Sequence, residues 1–295
     1  MDFGRIHNFE QVDFTLPPDH SSISKVLGGV KHPCPQAYVG GVRWVSDSFA
    51  GTIYPAKTKP RDFMKEYVHQ FNTIELNSTH YGLPSKETLR RWKEAAPAGF
   101  RFCPKINQAI SHAPDLAAMT DLHQEHCNTL YVLEDKLGTA FLQLPPFFST
   151  GRASELRAFL DKNTLPGMAI ELRHESWFSQ DTQLNDLCNY LYKKQLGLVL
   201  TDTPGRRDAL HMRLTNKQVF VRFNAHSNYE GDKARIDSWM ERAKNWFDQG
   251  LEQFCFFVHT PQQLFMPQLV IYTIQQLEKT GGISLKPPVL YNTPK

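Results

Sequence analysis

Ala169-Ile170-Glu171-Leu172-Arg173-His174-Glu175-Ser176-Trp177-Phe178 is an apolar run that ends abruptly in charged, imidazole and aromatic groups. Read as a strand from Ala169 to Arg173, it alternates with period two, so Glu171 and Arg173 share one face while Ile170 and Leu172 share the other. Two charges then fall where an apolar core is expected. Their desolvation is costly unless they pair or meet a ligand, so the stretch reads as a functional site or a charged brace.

Outward from this strand, the chain alternates between strand and helix patterns. Strands are expected over residues 37–44, 73–79, 100–107, 138–144, 168–173, 198–201, 219–223 and 253–258. Helical spacing covers residues 61–71, 85–94, 116–134, 154–160, 182–194, 234–247 and 265–278. The interval 204–216 lacks a full-length helix. Alternation implies parallel strands joined by crossover helices, and eight units within 295 residues most economically close into a (β/α)8 TIM barrel, an α/β fold. Residues 37–295 form the expected TIM-barrel domain. Residues 1–36, broken by Leu16-Pro17-Pro18 and Gly28-Gly29, form an expected N-terminal arm with one short helix. The rival open sheet lacks its usual signals, a Gly-x-Gly-x-x-Gly after the first strand or a Walker-type loop.

Composition narrows the function classes. A hydrophobic fraction of 41% and a charged fraction of 21% suit a globular protein, and a formal charge of +3 gives no global signal for nucleic acid or an anionic membrane. Five scattered cysteines, Cys34, Cys103, Cys127, Cys188 and Cys255, include no Cys-x-x-Cys pair, which suggests a reducing compartment. The sequence starts without a signal-peptide pattern and contains no apolar run of bilayer length, so a cytoplasmic location is expected.

Chemistry in such barrels sits at the carboxyl-terminal strand ends. Those ends carry Arg43 and Trp44; Glu75 and Asn77; Lys105 and Asn107; Gln143; Glu171, Arg173 and His174; Asp202; Arg222, Asn224 and His226; and His259. Lys105, Arg173 and Arg222 suit an anion clamp, because guanidinium forks hold phosphate or carboxylate and lysine adds a point charge. Glu171 is the expected base or electrostatic partner and Glu75 the second carboxylate, with Asp202 able to help neutralise the cations. Trap-like placement after strands lets Trp44, Tyr81 and Trp177 flank a planar or sugar-like ligand.

Other readings are weaker. The carboxylates, His226 and His259 have metal-compatible chemistry without a diagnostic spacing. Glu75 and Glu171 could form a glycosidase pair, and no Gly-x-Ser-x-Gly elbow is present. His123 and His126 share one helix face and are read as solvated; Trp239, Trp246 and the phenylalanines Phe254, Phe256 and Phe257 are read as core.

Several segments together resemble a known family. They are Val39-Gly40-Gly41-Val42-Arg43-Trp44, Gly51-Thr52-Ile53-Tyr54-Pro55, Phe71-Asn72-Thr73-Ile74-Glu75-Leu76-Asn77-Ser78-Thr79-His80-Tyr81, Gly99-Phe100-Arg101-Phe102, Ser111-His112 and Glu171-Leu172-Arg173-His174-Glu175-Ser176-Trp177. In this order they look like the domain-of-unknown-function 72, or YecE-like, family. The resemblance implies a TIM barrel and no particular reaction. Its pattern carries over to Glu75, Asn77, Tyr81, Lys105, His112, Glu171, Arg173, His174 and Trp177. Two places depart from it: Asn224-Ala225 stands where His-Gly is usual, and the last strand ends Val258-His259-Thr260-Pro261.

The expectation is therefore an enzyme, a hydrolase or lyase, acting on a small anionic, phosphorylated or sugar-like substrate by acid/base or hydrolytic chemistry. Its catalytic pair would be Glu171 and Glu75, with Asn77, Tyr81, Lys105, His112, Arg173, His174, Trp177 and Arg222 binding substrate. The alternative is a non-catalytic binding or regulatory barrel for an anionic metabolite or a nucleic-acid end. No metal or cofactor is assigned by the sequence, which leaves the oligomeric state open.

Overall fold

The computed structural model describes Gly4, Ile6, Phe9 and residues 11–179, 181–226 and 229–291. Its strands are β1 (Gln36–Gly40), β2 (Thr73–Leu76), β3 (Arg101–Pro104), β4 (Phe141–Gln143), β5 (Ala169–Glu171), β6 (Gly197–Asp202), β7 (Gln218–Asn224) and β8 (Gln253–His259). Every ladder between them is parallel. Six strands form one sheet in the order β1-β8-β7-β6-β5-β4, and β2 pairs with β3 in a second sheet.

In place of one continuous eight-stranded ladder, two seams separate these sheets. Isolated bridges cross them, Gly41 to Ile74 on one side and Lys105 to Phe141 on the other. At the first seam side chains take over from the ladder. Val39 N donates to Asn72 Oδ1 at 3.0 Å, Asn72 Nδ2 donates to the Ala37 carbonyl at 2.9 Å, and Gly41 N donates to the Tyr67 hydroxyl at 2.8 Å. The β1 backbone groups that face β2 are thus satisfied by side chains, while the other edge of β1 pairs with β8. A Cβ at Gly40 would collide with the Thr73 carbonyl, so only glycine lets the two chains approach this closely.

Helices follow most strands, the longest being Tyr229–Gln249, which extends beyond the expected 234–247 at both ends. After β6 there is only a 3-10 turn, Arg207–Ala209, matching the gap in helical spacing. The expected 116–134 helix is shorter, Thr120–Leu130, flanked by 3-10 turns, with Glu134 at a positive φ of 49°. His123 and His126, expected to be solvated, are buried on it. His123 Nε2 lies 3.0 Å from Asn163 Oδ1 and its ring packs on Phe159, so the face that carries these imidazoles is the one that meets the next helix, Ala153–Leu160. Trp239, Trp246, Phe254, Phe256 and Phe257 are core, as expected.

Residues before β1 contribute one short helix, Ile23–Leu27. No helix among the described residues is long and apolar enough to cross a membrane.

Two large apolar clusters lie between strands and helices. A third, smaller cluster draws Tyr38, Cys103, Phe141, Ala169, Val199, Phe220, Cys255 and Phe257 together from seven of the strands. The next residue on the same face of each strand is two positions on. For Cys103, Phe141, Ala169, Val199, Phe220 and Phe257 that residue is Lys105, Gln143, Glu171, Thr201, Arg222 and His259. An apolar layer therefore supports a polar one.

Candidate functional site

Arg222 is the hub of that polar layer. Its Nε and Nη2 donate to the two oxygens of Glu75, each at 2.9 Å, and its Nη1 donates to both oxygens of Glu171, at 3.0 and 2.8 Å. Arg173 donates to Glu171 Oε1 from Nε at 3.2 Å and from Nη2 at 3.0 Å, and the Thr201 hydroxyl donates to the same oxygen at 3.1 Å. Asn77 Nδ2 donates to Glu75 Oε1 at 2.8 Å, and His259 Nε2 lies 2.9 Å from Glu75 Oε2. All five strand-end groups of this core (Glu75, Glu171, Arg173, Arg222 and Gln143) are buried.

Both carboxylates are held ionised. Burial raises the Glu171 pKa, but Arg173, then Arg222 and Lys105, outweigh it and bring it down to about 2. Burial likewise acts against the charge on Glu75, and Arg222 followed by His259 holds its pKa well below the usual carboxylate range. A carboxylate so stabilised is a weak base. The geometry therefore gives Glu171 the part of electrostatic partner rather than general base.

Two donors remain. Lys105 is 5% exposed, yet its Nζ makes no hydrogen bond or ion pair with another described residue. Burial, and then repulsion from Arg222, push its pKa down to about 8. Gln143 Oε1 accepts from Arg222 Nη1 at 3.4 Å, which fixes the amide orientation, and its buried Nε2 is without a partner among the described residues. Both side chains line one cavity of about 900 Å³, together with Trp44, Asn77, Tyr81 and Arg173. Among the described residues of the cluster, Lys105, Arg173 and Arg222 stand with Glu75 and Glu171, three cations with two carboxylates.

Of the residues singled out in the sequence, Glu75, Asn77, Tyr81, Lys105, Glu171, Arg173 and Arg222 come together in the cluster or the cavity wall. Three do not. Trp177 is fully buried in the apolar core, where Nε1 donates to the Phe148 carbonyl at 2.8 Å; it packs beneath the strand end instead of flanking a ligand. His174 turns away from the cavity because its Nδ1 accepts from Ser176 N at 3.1 Å and starts the short helix Ser176–Ser179. His112 lies outside the cavity wall, with Nδ1 2.8 Å from the Ser111 hydroxyl and its ring edge-on to Phe147.

Asp202 also leaves the cluster. As the residue after Thr201 it points to the opposite face, where Trp239 Nε1 donates to it at 2.7 Å and Arg235 pairs with it at 2.8 Å. Sequence reasoning passed over His80, which is buried with Nδ1 2.9 Å from the Ile106 carbonyl and its ring 5.3 Å from that of His112. Its Nε2 is without a partner among the described residues, and burial lowers its pKa to about 4. Its only sequence signal was its place in the quoted motif. Among the described residues, no group of three or more His, Cys, Asp or Glu side chains is arranged to hold a metal ion.

A family model described as "Protein of unknown function DUF72" matches residues 38–291. The UPF0759 protein YecE of Escherichia coli (strain K12) is 29% identical over 238 residues, covering 74% of this chain and 86% of YecE. The UPF0759 protein YunF of Bacillus subtilis (strain 168) is 25% identical over 150 residues, 48% of this chain and 52% of YunF. Among solved structures, the DUF72 family protein EF0366 of Enterococcus faecalis V583 superposes with a TM-score of 0.63 at 20% identity, covering 86% of this chain and 100% of that one. TM1631 of Thermotoga maritima MSB8, also a DUF72 family protein, gives a TM-score of 0.59 at 19% identity, covering 83% and 98%. At these identities the structural likeness carries the fold alone.

Proposed function

This chain belongs to the DUF72 family, and from that premise we propose that it is a cytoplasmic (β/α)8 barrel enzyme whose strand-end cavity takes a small anionic substrate, phosphorylated or sugar-like. The bridges across both seams, and an apolar cluster fed by seven strands, support closure of the barrel. One observation carries the ligand reading: the Lys105 side chain lines the cavity with its Nζ unpaired among the described residues, beside Gln143, whose buried Nε2 also has no acceptor among them. A donor left without an acceptor in a buried setting costs free energy, which an anionic acceptor would offset.

In this reading Lys105 and Gln143 grip the anion, with Arg173 adding to the positive field. Glu75 and Glu171 keep Arg222 rigid and charged. Lys105, with a pKa of about 8, is the cavity group suited to exchange a proton near neutral pH, in hydrolysis or an eliminating lyase step. Tyr81 and Trp44 lie where they flank the rest of the ligand.

The second reading, a binding barrel without catalysis, is favoured by one fact: both carboxylates of the cluster spend their oxygens on cations and amides. Calorimetric titration with inorganic phosphate tests the shared core of both readings. Wild-type protein should bind phosphate, and Lys105→Met should weaken binding about 10- to 100-fold, the value of a charge-assisted hydrogen bond. Equal affinities, or no binding by wild type, would remove the reading.

A further inference from the structure

We propose that the described part of the N-terminal arm, Gly4, Ile6 and residues 11–19, is a fixed wall of the cavity that sets how large a ligand can reach Lys105. The family match begins at residue 38, so this wall lies outside the part of the chain shared with the family. Gly4 and Ile6 line the cavity with Thr203 and Pro204, which Gly4 adjoins through the Thr203 hydroxyl, and Trp44 and Tyr81 line it from the segments after β1 and β2. The proposal uses the anion reading only to say what the wall admits; the wall itself stands on packing.

The arm is held at three levels. At the cavity, Gly205 N donates to the Gly4 carbonyl at 2.8 Å and the Thr203 hydroxyl donates to it at 3.2 Å. Gly4 itself has a φ of +74°, and a Cβ there would run into the Thr203 side chain, so the contact is made backbone to backbone. Further along, the Phe14 ring lies under two guanidiniums, 4.8 Å from Arg235 and 5.5 Å from Arg207, and the Arg207 side chain donates to the Phe14 carbonyl at 3.3 Å. At the far end, Asp19 accepts from Arg242 at 2.6 Å and from Trp246 Nε1 at 3.0 Å.

These anchors are distributed along the arm and part-buried except for the exposed Asp19–Arg242 pair. Arg207 and Arg235 are themselves fixed by Asp202, so the wall is tied to the end of β6 and to the helix Tyr229–Gln249. A chain held at so many points behaves as part of the fold rather than as a loose tail. Trp44 and Tyr81 line the same cavity and Tyr81 is exposed, so with one side walled by the arm a ligand enters past these rings in this reading. The substrate class this admits is a compact anion, or one whose bulk extends toward those rings.

Gly205 offers a clean way to test the wall. It is not part of the cavity lining, and a Cβ placed there would meet only arm atoms closely, Ile6 Cγ2 at 2.7 Å and the Gly4 carbonyl oxygen at 2.9 Å. The Gly205→Val variant should therefore undock the arm's end while leaving Lys105 in place. The readout is the rate of covalent labelling of Lys105, followed by peptide mass spectrometry, with a small reagent (acetic anhydride) and a bulky one (trinitrobenzenesulfonate).

In Gly205→Val the bulky reagent should label Lys105 about tenfold faster than in wild type, with little change for the small reagent. Phe14→Ala, which removes a ring without forcing a clash, should move the bulky rate in the same direction by a smaller factor. Far-ultraviolet circular dichroism confirms that each variant is folded. Equal bulky-reagent rates in wild type and both folded variants, including no labelling in any of them, would overturn the wall. Protection of wild-type Lys105 from acetic anhydride by inorganic phosphate is a separate result that bears on the anion reading alone.

Discussion

The molecule holds two buried charge networks built from similar parts, and they differ in what is left over. On the outer face of the strands, Asp202 and Asp232 meet Arg235 and Arg207, two charges of each sign, capped by Trp239 and the Phe14 ring. On the inner face, Glu75 and Glu171 meet Arg222 and Arg173 around a cavity, beside Lys105, which is unpaired among the described residues. Balance and cover make the first network a brace. Surplus charge among the described residues and open volume make the second the candidate site. Burial of charge alone therefore does not mark function; an unmet donor does.

The comparison breaks first at its hubs. Arg222→Met leaves two buried carboxylates without their main partner and should cost about 3–5 kcal/mol in denaturant-induced unfolding. Arg235→Met should cost a similar amount, since it strips Asp202 of its more deeply buried cation and Asp232 of its Arg235 pair. A loss below about 1 kcal/mol for either variant would show that solvent already shields that network.

Lys105 should behave in the opposite sense. Burial disfavours its charge, so Lys105→Met should raise unfolding stability at pH 7 by about 1–3 kcal/mol while weakening phosphate binding. Stability gained together with affinity lost is the mark of a group kept for a ligand. A stability loss would place Lys105 in the brace class.

Acid and base should separate the groups further. The folded pKa of Glu171, about 2, is below its ordinary 4.5, so its contribution is complete above about 4.5 and is lost as pH falls toward about 2. For Lys105 the folded pKa of about 8 is below its ordinary 10.5. The unfolded chain holds more protons between those values, so stability rises with pH across that window, and the rise should vanish in Lys105→Met. Phosphate affinity should fall above about pH 8 in wild type as the ammonium deprotonates. Chemical denaturation and phosphate titration across pH check both.

The smallest expected change is at Trp177. Trp177→Phe removes the donor to the Phe148 carbonyl and should cost about 1 kcal/mol, leaving phosphate affinity unaltered. An altered affinity would return Trp177 to the ligand.

Much of this layout was legible because period two is a strong constraint. The pairs Glu171/Arg173 and the strand-end position of Arg222 fixed which faces the charges share, and the structure brings them into contact across the strands. Asp202 was misjudged because a strand's last residue can fall on either face, and only the phase set by Thr201 decides it. His174 and Trp177 follow the strand, where the chain turns at once into a short helix and the alternation no longer applies. Gln143 was visible at its strand end but carried no charge to draw attention. The surplus that makes it informative is a count of partners, which exists only in three dimensions.

The seam between β1 and β2 gives the protein a defined place to come apart. Ladder bonds protect one another cooperatively, whereas the amides of Val39 and Gly41 depend on the rotamers of Asn72 and Tyr67. Local fluctuations will therefore start there, releasing β2 and β3 as a pair before the six-stranded sheet yields. Since β2 carries Glu75, one half of the clamp on Arg222 travels with that pair. The charged cluster then acts as a latch across that joint, and the proposed anion beside it would fasten the latch.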